Sequence, residues 1–303
     1  MIVILAPTAQ LAADTLTLDT PPTLTVEAEY GAWVAQGSRY TAAHHQPLGS
    51  EFAGRHIGGD RPAPCNDPNI PFLDENEVAL ISHIDVDTLG GLMRAHPDFE
   101  PYFSEEYQPF WDFVEFVDTM GWHKADSAHP EYARLSAFAA WSQKNRLNTP
   151  RDQNSDVTDF VFSAFGFLTC VLKNDPEAIA LGASYVADQE SLNEKSWVRT
   201  TPFGLVVRRS TGFVNHLYRD PTGEVGAAVI SLNEKTGAIT LSLADPIPNL
   251  SCRAVVQELW GNEAGGHDGI AGSPRGTLMS EVDLLNAVNH FSKAIVSAIY
   301  KQD

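Results

Sequence analysis

Thiol chemistry has little to work with in this chain. Three cysteines, Cys65, Cys170 and Cys252, lie far apart among 303 residues and form no CxxC pair. That spacing excludes a thiolate zinc site, and an odd count argues against a disulfide framework. Reduced thiols fit a cytoplasmic protein. Cations are also scarce: 20 Lys and Arg stand against 39 Asp and Glu, a formal net charge of −19. Such a surface repels polyanions at long range. It lacks the Lys and Arg contacts that hold long nucleic acid, so no long nucleic-acid partner is expected. A small phosphorylated substrate escapes this exclusion, because one local positive site can dominate its binding. Bilayer-length apolar runs are missing as well. Phe160 to Leu172 is interrupted and too short, so no membrane partner is expected. Met1 to Pro7 has no basic n-region and reads as a first strand rather than a secretion signal. There is no internal repeat and no low-complexity segment.

What the chain does have is a hydrophobic fraction of 43% and enough length for two domains. Near the C-terminus stands Gly265-Gly266-His267-Asp268-Gly269-Ile270-Ala271-Gly272. Glycine tolerates positive φ and lets backbone approach a ligand closely. A glycine-rich turn directs several N–H groups into one concavity, which suits a phosphate, and His267 adds a donor there. Gly226–Leu232 and Gly237–Leu243 read as two strands joined by a turn at Asn233–Thr236, a β-hairpin. Ser251–Trp260 reads as a short helix and Met279–Lys301 as a closing amphipathic helix.

Earlier in the chain, two apolar runs end in candidate ligands. Val78-Ala-Leu-Ile-Ser82 has the length of a buried strand and leads into His83-Ile-Asp85-Val-Asp87-Thr-Leu-Gly-Gly91. Alternate residues of an extended segment project to one side, so His83, Asp85 and Asp87 can converge. Burying acids unpaired is costly, so this placement asks for a cation. Imidazole and carboxylate together suit Mn, Mg, Fe or Zn. Arg39–Ala43 is a second strand-like run, closed by His44-His45. A third apolar segment, Phe116-Val117, ends in Asp118. His56, His96, His123, His129, His216 and His290 are read as hydrogen-bonded structural residues. Further helices are expected at Phe110–Val117, Tyr132–Lys144, Val157–Lys173 and, capped by Asp175, from Pro176 to about Gln189.

The strand, strand, helix, Gly-Gly-His loop and final helix resemble the C-terminal domain associated with DHH phosphoesterases. Ala264-Gly-Gly-His-Asp-Gly-Ile-Ala-Gly272 is similar to that family's loop, with Ala264 and Ile270 as departures. His83-x-Asp85-x-Asp87 resembles its first metal motif. His44-His45 resembles its Asp-His-His motif, with Ala43 where the Asp belongs and in a permuted chain order. Ala244 stands where many relatives carry Arg. The resemblance implies an α/β protein of two domains. Residues 1–190 would be a metal-binding catalytic domain with a mainly parallel sheet flanked by helices. Residues 200–303 would be a smaller substrate-binding α/β domain with a mixed sheet. It implies Mn2+ or Mg2+, two ions, held by His44, His45, His83, Asp85, Asp87 and Asp118, with Asp85 as bridge and Asp85 and His45 catalytic. Gly265, Gly266, His267 and Arg275 would hold the substrate. The implied reaction is hydrolysis of a small nucleotide, short oligonucleotide or related phosphoester in a cleft between the domains, and the resemblance allows a homodimer. A non-catalytic nucleotide-binding regulator and a metal-dependent deacylase stand as alternatives.

Overall fold

The computed structural model describes residues 1–30, 33–44, 62–214, 216–261, 264–266, 268–274 and 277–300. The chain divides into two compact units, one of residues 1–120 and 125–186, the other of residues 121–124 and 187–303.

In the first unit the strands are β1 (Ile2–Leu5), β2 (Leu24–Val26), β3 (Glu29–Tyr30), β4 (Trp33–Val34), β5 (Tyr40–Ala42), β6 (Val78–Ile81) and β7 (Ser155–Asp156). β3 and β4 form a separate two-stranded ribbon. The other five make one sheet in the order β5-β2-β6-β1-β7. Four of them are parallel, and β7 closes the edge antiparallel to β1. Parallel strands are covered on both faces and therefore read as continuous apolar runs. Ile-Val-Ile-Leu of β1 and Val-Ala-Leu-Ile of β6 are such runs, paired from Ile2 opposite Val78 to Leu5 opposite Ile81.

Helices α1 (Ala9–Leu16), α2 (Val86–Arg94), α3 (Gln108–Met120), α4 (Tyr132–Lys144) and α5 (Thr158–Leu172) belong to this unit, and α6 (Pro176–Lys195) runs on from it across the boundary at residue 186. Asp85 caps α2 by accepting the Thr88 N–H at 2.8 Å. Val161, Ala164, Phe165, Leu168, Val171 and Leu172 of α5 recur at helical spacing and are buried. Phe110 and Trp111 of α3 are fully buried as well. Asp175 caps α6 as expected, accepting from the N–H groups of Glu177 and Ala178. α6 extends beyond Gln189 to Lys195, because Ala187–Lys195 contains no Gly or Pro to stop it.

One close approach positions the site. Gly90 and Gly91 of α2 face a 3-10 turn at Pro64–Asn66, and a Cβ on Gly90 would stand 2.4 Å from Cys65 Cβ and 2.9 Å from Trp111 Cζ3. Only glycine lets the turn sit against the helix, and that contact carries the Cys65 N–H to the Asp87 carboxylate at 2.8 Å.

The second unit contains β8 (Trp197–Thr200), β9 (Leu205–Ser210), β10 (Ala228–Asn233), β11 (Ala238–Leu243), α7 (Cys252–Trp260), β12 (Gly265–Gly266), β13 (Ile270–Gly272) and α8 (Glu281–Tyr300). Its mixed sheet runs β12-β13-β11-β10-β9-β8, with only β9 and β10 parallel. The β10–β11 hairpin forms where the alternation placed it. Asn233 Oδ1 accepts from the Lys235 and Thr236 N–H groups, and Gly237 closes the turn at φ +68°. α7 and α8 cover one face, with Val255, Val256, Leu284, Phe291 and Ile295 against Val207, Ile230 and Leu241. The whole is an α/β protein with a mainly parallel N-terminal sheet and a mixed C-terminal one. Among the described residues no helix is long and apolar enough to cross a membrane.

The glycine-rich stretch differs from its expectation. It is a short antiparallel pair at the sheet edge, Gly265 opposite Gly272 and Gly266 opposite Ala271. None of its described glycines adopts positive φ. Backbone N–H groups committed to a ladder replace the open cradle that composition suggested. Gly265 and Gly269 nevertheless leave open space where a side chain would stand.

Gly90→Ala tests the packing of α2. The helix-propensity gain of about 1 kcal/mol is smaller than the overpacking cost of about 1–3 kcal/mol. We expect net destabilisation of the first unit in urea denaturation; a higher midpoint would overturn the close-packing account.

Candidate metal centre

The carboxyl ends of parallel strands are where an open α/β sheet gathers its functional groups. Three neighbouring strands end that way here. Glu27 follows β2, His44 follows β5 by one residue, and Ser82 to Asp87 follow β6. Asp118 comes from the last turn of α3.

Glu27 is fully buried and has φ +46°. This left-handed conformation is uncommon outside glycine, and the backbone is held in it from both sides. Its N–H donates to the Ala42 carbonyl at 2.8 Å, and its carbonyl accepts from the Ser82 hydroxyl. The bend turns the side chain back over the strand ends. Oε1 lies 3.0 Å from His44 Nε2. Oε2 accepts from the Thr88 hydroxyl at 2.7 Å and lies 3.4 Å from His83 Nε2.

Two ligand groups result. In the first, Glu27, His44, Asp87 and Asp118 each offer one atom, all within 4.8 Å of one another. His44 Nε2 is 3.1 Å from Asp118 Oδ2 and 3.5 Å from Asp87 Oδ2. In the second, Glu27, His83 and Asp85 meet the same limit, with His83 Nε2 3.0 Å from Asp85 Oδ2. Glu27 is common to both groups, one oxygen toward each histidine. Asp85, which the sequence puts at the bridge, belongs to the second group alone.

Electrostatics show what this arrangement lacks. Burial raises the Asp87 carboxyl well above its usual range, and the charges of Glu27, Asp85 and Asp118 raise it further. Burial alone would lower His44, but its hydrogen bonds to Asp118 and Glu27 and the charge of Asp87 override this and push it up to about 11. Both shifts express one demand, for positive charge among crowded carboxylates. Asp87 Oδ2 is buried and accepts no hydrogen bond. At His83, the Ser82 proton is directed to the Glu27 carbonyl, so the 2.8 Å contact with Ser82 Oγ makes Nδ1–H the donor. A neutral ring then turns its Nε2 lone pair toward two carboxylate oxygens. A proton or a metal ion resolves that contact, and fixing the tautomer through the far nitrogen is how metal-binding histidines are oriented. An all nitrogen and oxygen donor set suits Mn or Mg better than thiophilic metals. The residues therefore fit divalent ions.

Of the residues named from sequence, His44, His83, Asp85, Asp87 and Asp118 come together in the first unit. His45, His267 and Arg275 lie outside the described residues. Gly265 and Gly266 belong to the second unit, in the β12–β13 pair. Glu27 was absent from the sequence-derived set, although Leu24-Thr-Val26-Glu27 follows the rule that singled out His83, an apolar run closed by a ligand-type side chain. His123 takes the structural role expected of it, with Nε2 2.9 Å from the Ala244 carbonyl in the second unit. Beside it, Lys124 pairs with Asp245.

No family profile and no curated protein matches this chain. Among solved structures it is similar to an exopolyphosphatase-related protein from Bacteroides fragilis, with 14% identity and a TM-score of 0.34 over 78% of this chain. The chain spans 64% of that protein's length.

Asp87→Asn keeps the acceptor for the Cys65 N–H and removes one buried charge. We expect the metal-free variant to melt higher than metal-free wild type. Mn2+ at about one hundred times its Kd should stabilise wild type by about 2.7 kcal/mol and the variant by much less. A variant that melts lower without metal and gains as much with it would contradict the charge-crowding account; paired thermal melts with and without chelator decide.

Proposed function

We propose that the chain is a metal-dependent phosphoesterase acting on a small nucleotide, short oligonucleotide or related phosphoester with two divalent ions, Mn2+ or Mg2+. The observation that carries this reading is the sharing of Glu27 between two ligand groups, which gives one carboxylate to two cation positions. When bound, such ions lower the pKa of water and offset charge on phosphoryl oxygens.

The chain's own residues divide the work. Glu27, held by the Thr88 hydroxyl and by its strained backbone, sets the spacing of the two positions. His44, Asp87 and Asp118 form the more enclosed one. His83 and Asp85 form the more open one, with side chains 47% and 38% exposed, so substrate and water reach that side. Asp85 is fixed by capping α2 through Oδ1, leaving Oδ2 toward the centre. We assign His45 to proton transfer and the Gly265–Gly266–His267 stretch, with Arg275, to holding the substrate phosphate. Ala43 does not deprive the centre of carboxylate, because Glu27 supplies one from the neighbouring strand.

The deciding experiment is a hydrolysis panel with Mn2+: a dinucleotide, a 3′-phosphorylated nucleotide, cyclic dinucleotides and polyphosphate. The expected result is turnover of at least one, reduced at least about a hundredfold by Glu27→Gln and by Asp85→Ala, equivalent to about 2.7 kcal/mol at the transition state. Metal binding without turnover of any substrate would overturn the catalytic reading and leave a nucleotide-binding regulator.

A further inference from the structure

We propose that the second unit carries a separate binding site for a phosphate monoester bearing a flat apolar ring, of the size of a nucleoside monophosphate. The site is a cleft of about 650 Å³. One wall is the end of β8 with the turn that follows; the other is the outer face of α8. All its lining residues belong to the second unit, whereas both metal-ligand groups belong to the first.

Charge is the first argument. Acids outnumber bases about two to one in this chain, yet the charged residues of this cleft are Arg199 and Lys293, with no carboxylate among its lining. Among the described residues neither cation has an acidic partner within ion-pair distance, while Arg209, on the neighbouring strand, is paired with Glu281 and Glu234. A phosphate monoester carries close to two negative charges at neutral pH and matches two free cations. Arg199 is also oriented, its guanidinium 5.5 Å from the centre of the Trp197 ring.

The apolar part of the cleft is the second argument. Phe203 is 54% exposed at the tip of a tight turn. That turn is fixed by Pro202, by the Gly204 N–H donating to the Thr201 carbonyl at 3.1 Å, and by Gly204 at φ +73°. The Thr201 N–H in turn donates to the Leu205 carbonyl at 2.9 Å. An aromatic ring is thus held out on a rigid support beside Val288 and Val296 of α8. Thr200 and Ser292 add hydroxyls between the apolar and charged parts. The volume lies within the range of small-molecule sites, which combine apolar walls with a few placed polar groups. Phosphate at the cations and a ring against Phe203 matches the charged and the apolar parts of the lining.

The test is calorimetric titration of the full-length chain with AMP, adenosine and inorganic phosphate, each with Mn2+ present and after chelation. Chelation removes any binding that runs through the metal centre, so failure here is distinct from failure of the phosphoesterase reading. The expected result is one AMP bound per chain without metal, and binding weakened at least about tenfold by Arg199→Glu with Lys293→Glu, the loss of a charge-assisted contact. Phe203→Ala, at an exposed position, is expected to weaken AMP and leave inorganic phosphate unchanged. Adenosine alone and phosphate alone are each expected to bind more weakly than AMP. Absence of metal-independent AMP binding, or AMP binding that ignores all three substitutions, would overturn the proposal. Phosphate binding as tightly as AMP would overturn the assignment of the ring to Phe203.

Discussion

Four carboxylates and two imidazoles converge at the strand ends, and the first unit is organised around keeping them there. Like charges within a few ångströms in a low-dielectric volume repel strongly, and desolvation adds to the cost. The fold bears it through rigid supports on every side of Glu27. A carbonyl and a hydroxyl trap its backbone, Thr88 binds one of its carboxylate oxygens, and the Cys65 N–H binds Asp87. Without these the acids would splay toward solvent. The same rigidity that makes the empty arrangement unfavourable makes it pre-organised for cations, since no reorganisation remains to oppose binding.

Much of this was legible in the residues. Apolar runs of strand length closed by His or Asp marked His44 and His83, because a parallel sheet buries its strands and exposes their carboxyl ends. Asp87 followed from its alternation with His83 and Asp85 in an extended segment, although it stands in the first turn of α2 instead, and Asp118 followed from the apolar pair before it. Glu27 did not stand out, since its strand is only three residues long and its role depends on a positive φ that no sequence pattern announces. The pairing of His44 with Asp118 is equally silent in the chain, because it depends on where α3 lies against the sheet. The glycine-rich stretch shows the opposite limit. Composition suggested a turn with free N–H groups, but an edge strand presents unpaired backbone groups that even glycine, a weak strand former, pairs with here.

The second unit solves a different problem with the same economy of cations. With so few Lys and Arg, two of them are committed within β9: Arg208 is buried and donates to the Leu217 and Arg219 carbonyls and Ser196, and Arg209 pairs with two glutamates. Against that background Arg199 and Lys293 are conspicuous for facing a cleft rather than an acid. The separation matters physically, because the charge of Arg199 and Lys293 belongs to the side chains themselves and is indifferent to chelation, whereas the first unit's ligand groups are carboxylate-rich and gain positive charge only with a cation.

The order of strands carries one more consequence. The ligands are drawn from segments spread between Glu27 and Asp118, and β2 must lie between β5 and β6 before Glu27 meets both His44 and His83. The local segment His83–Asp87 supplies three of the six ligand residues, and the other three come from separate elements. Parallel pairings of this kind close long loops and form slowly, so the cation positions come into being only when the sheet is complete. A cation held by all of these residues would therefore act as a lock on finished topology rather than as a nucleus for it.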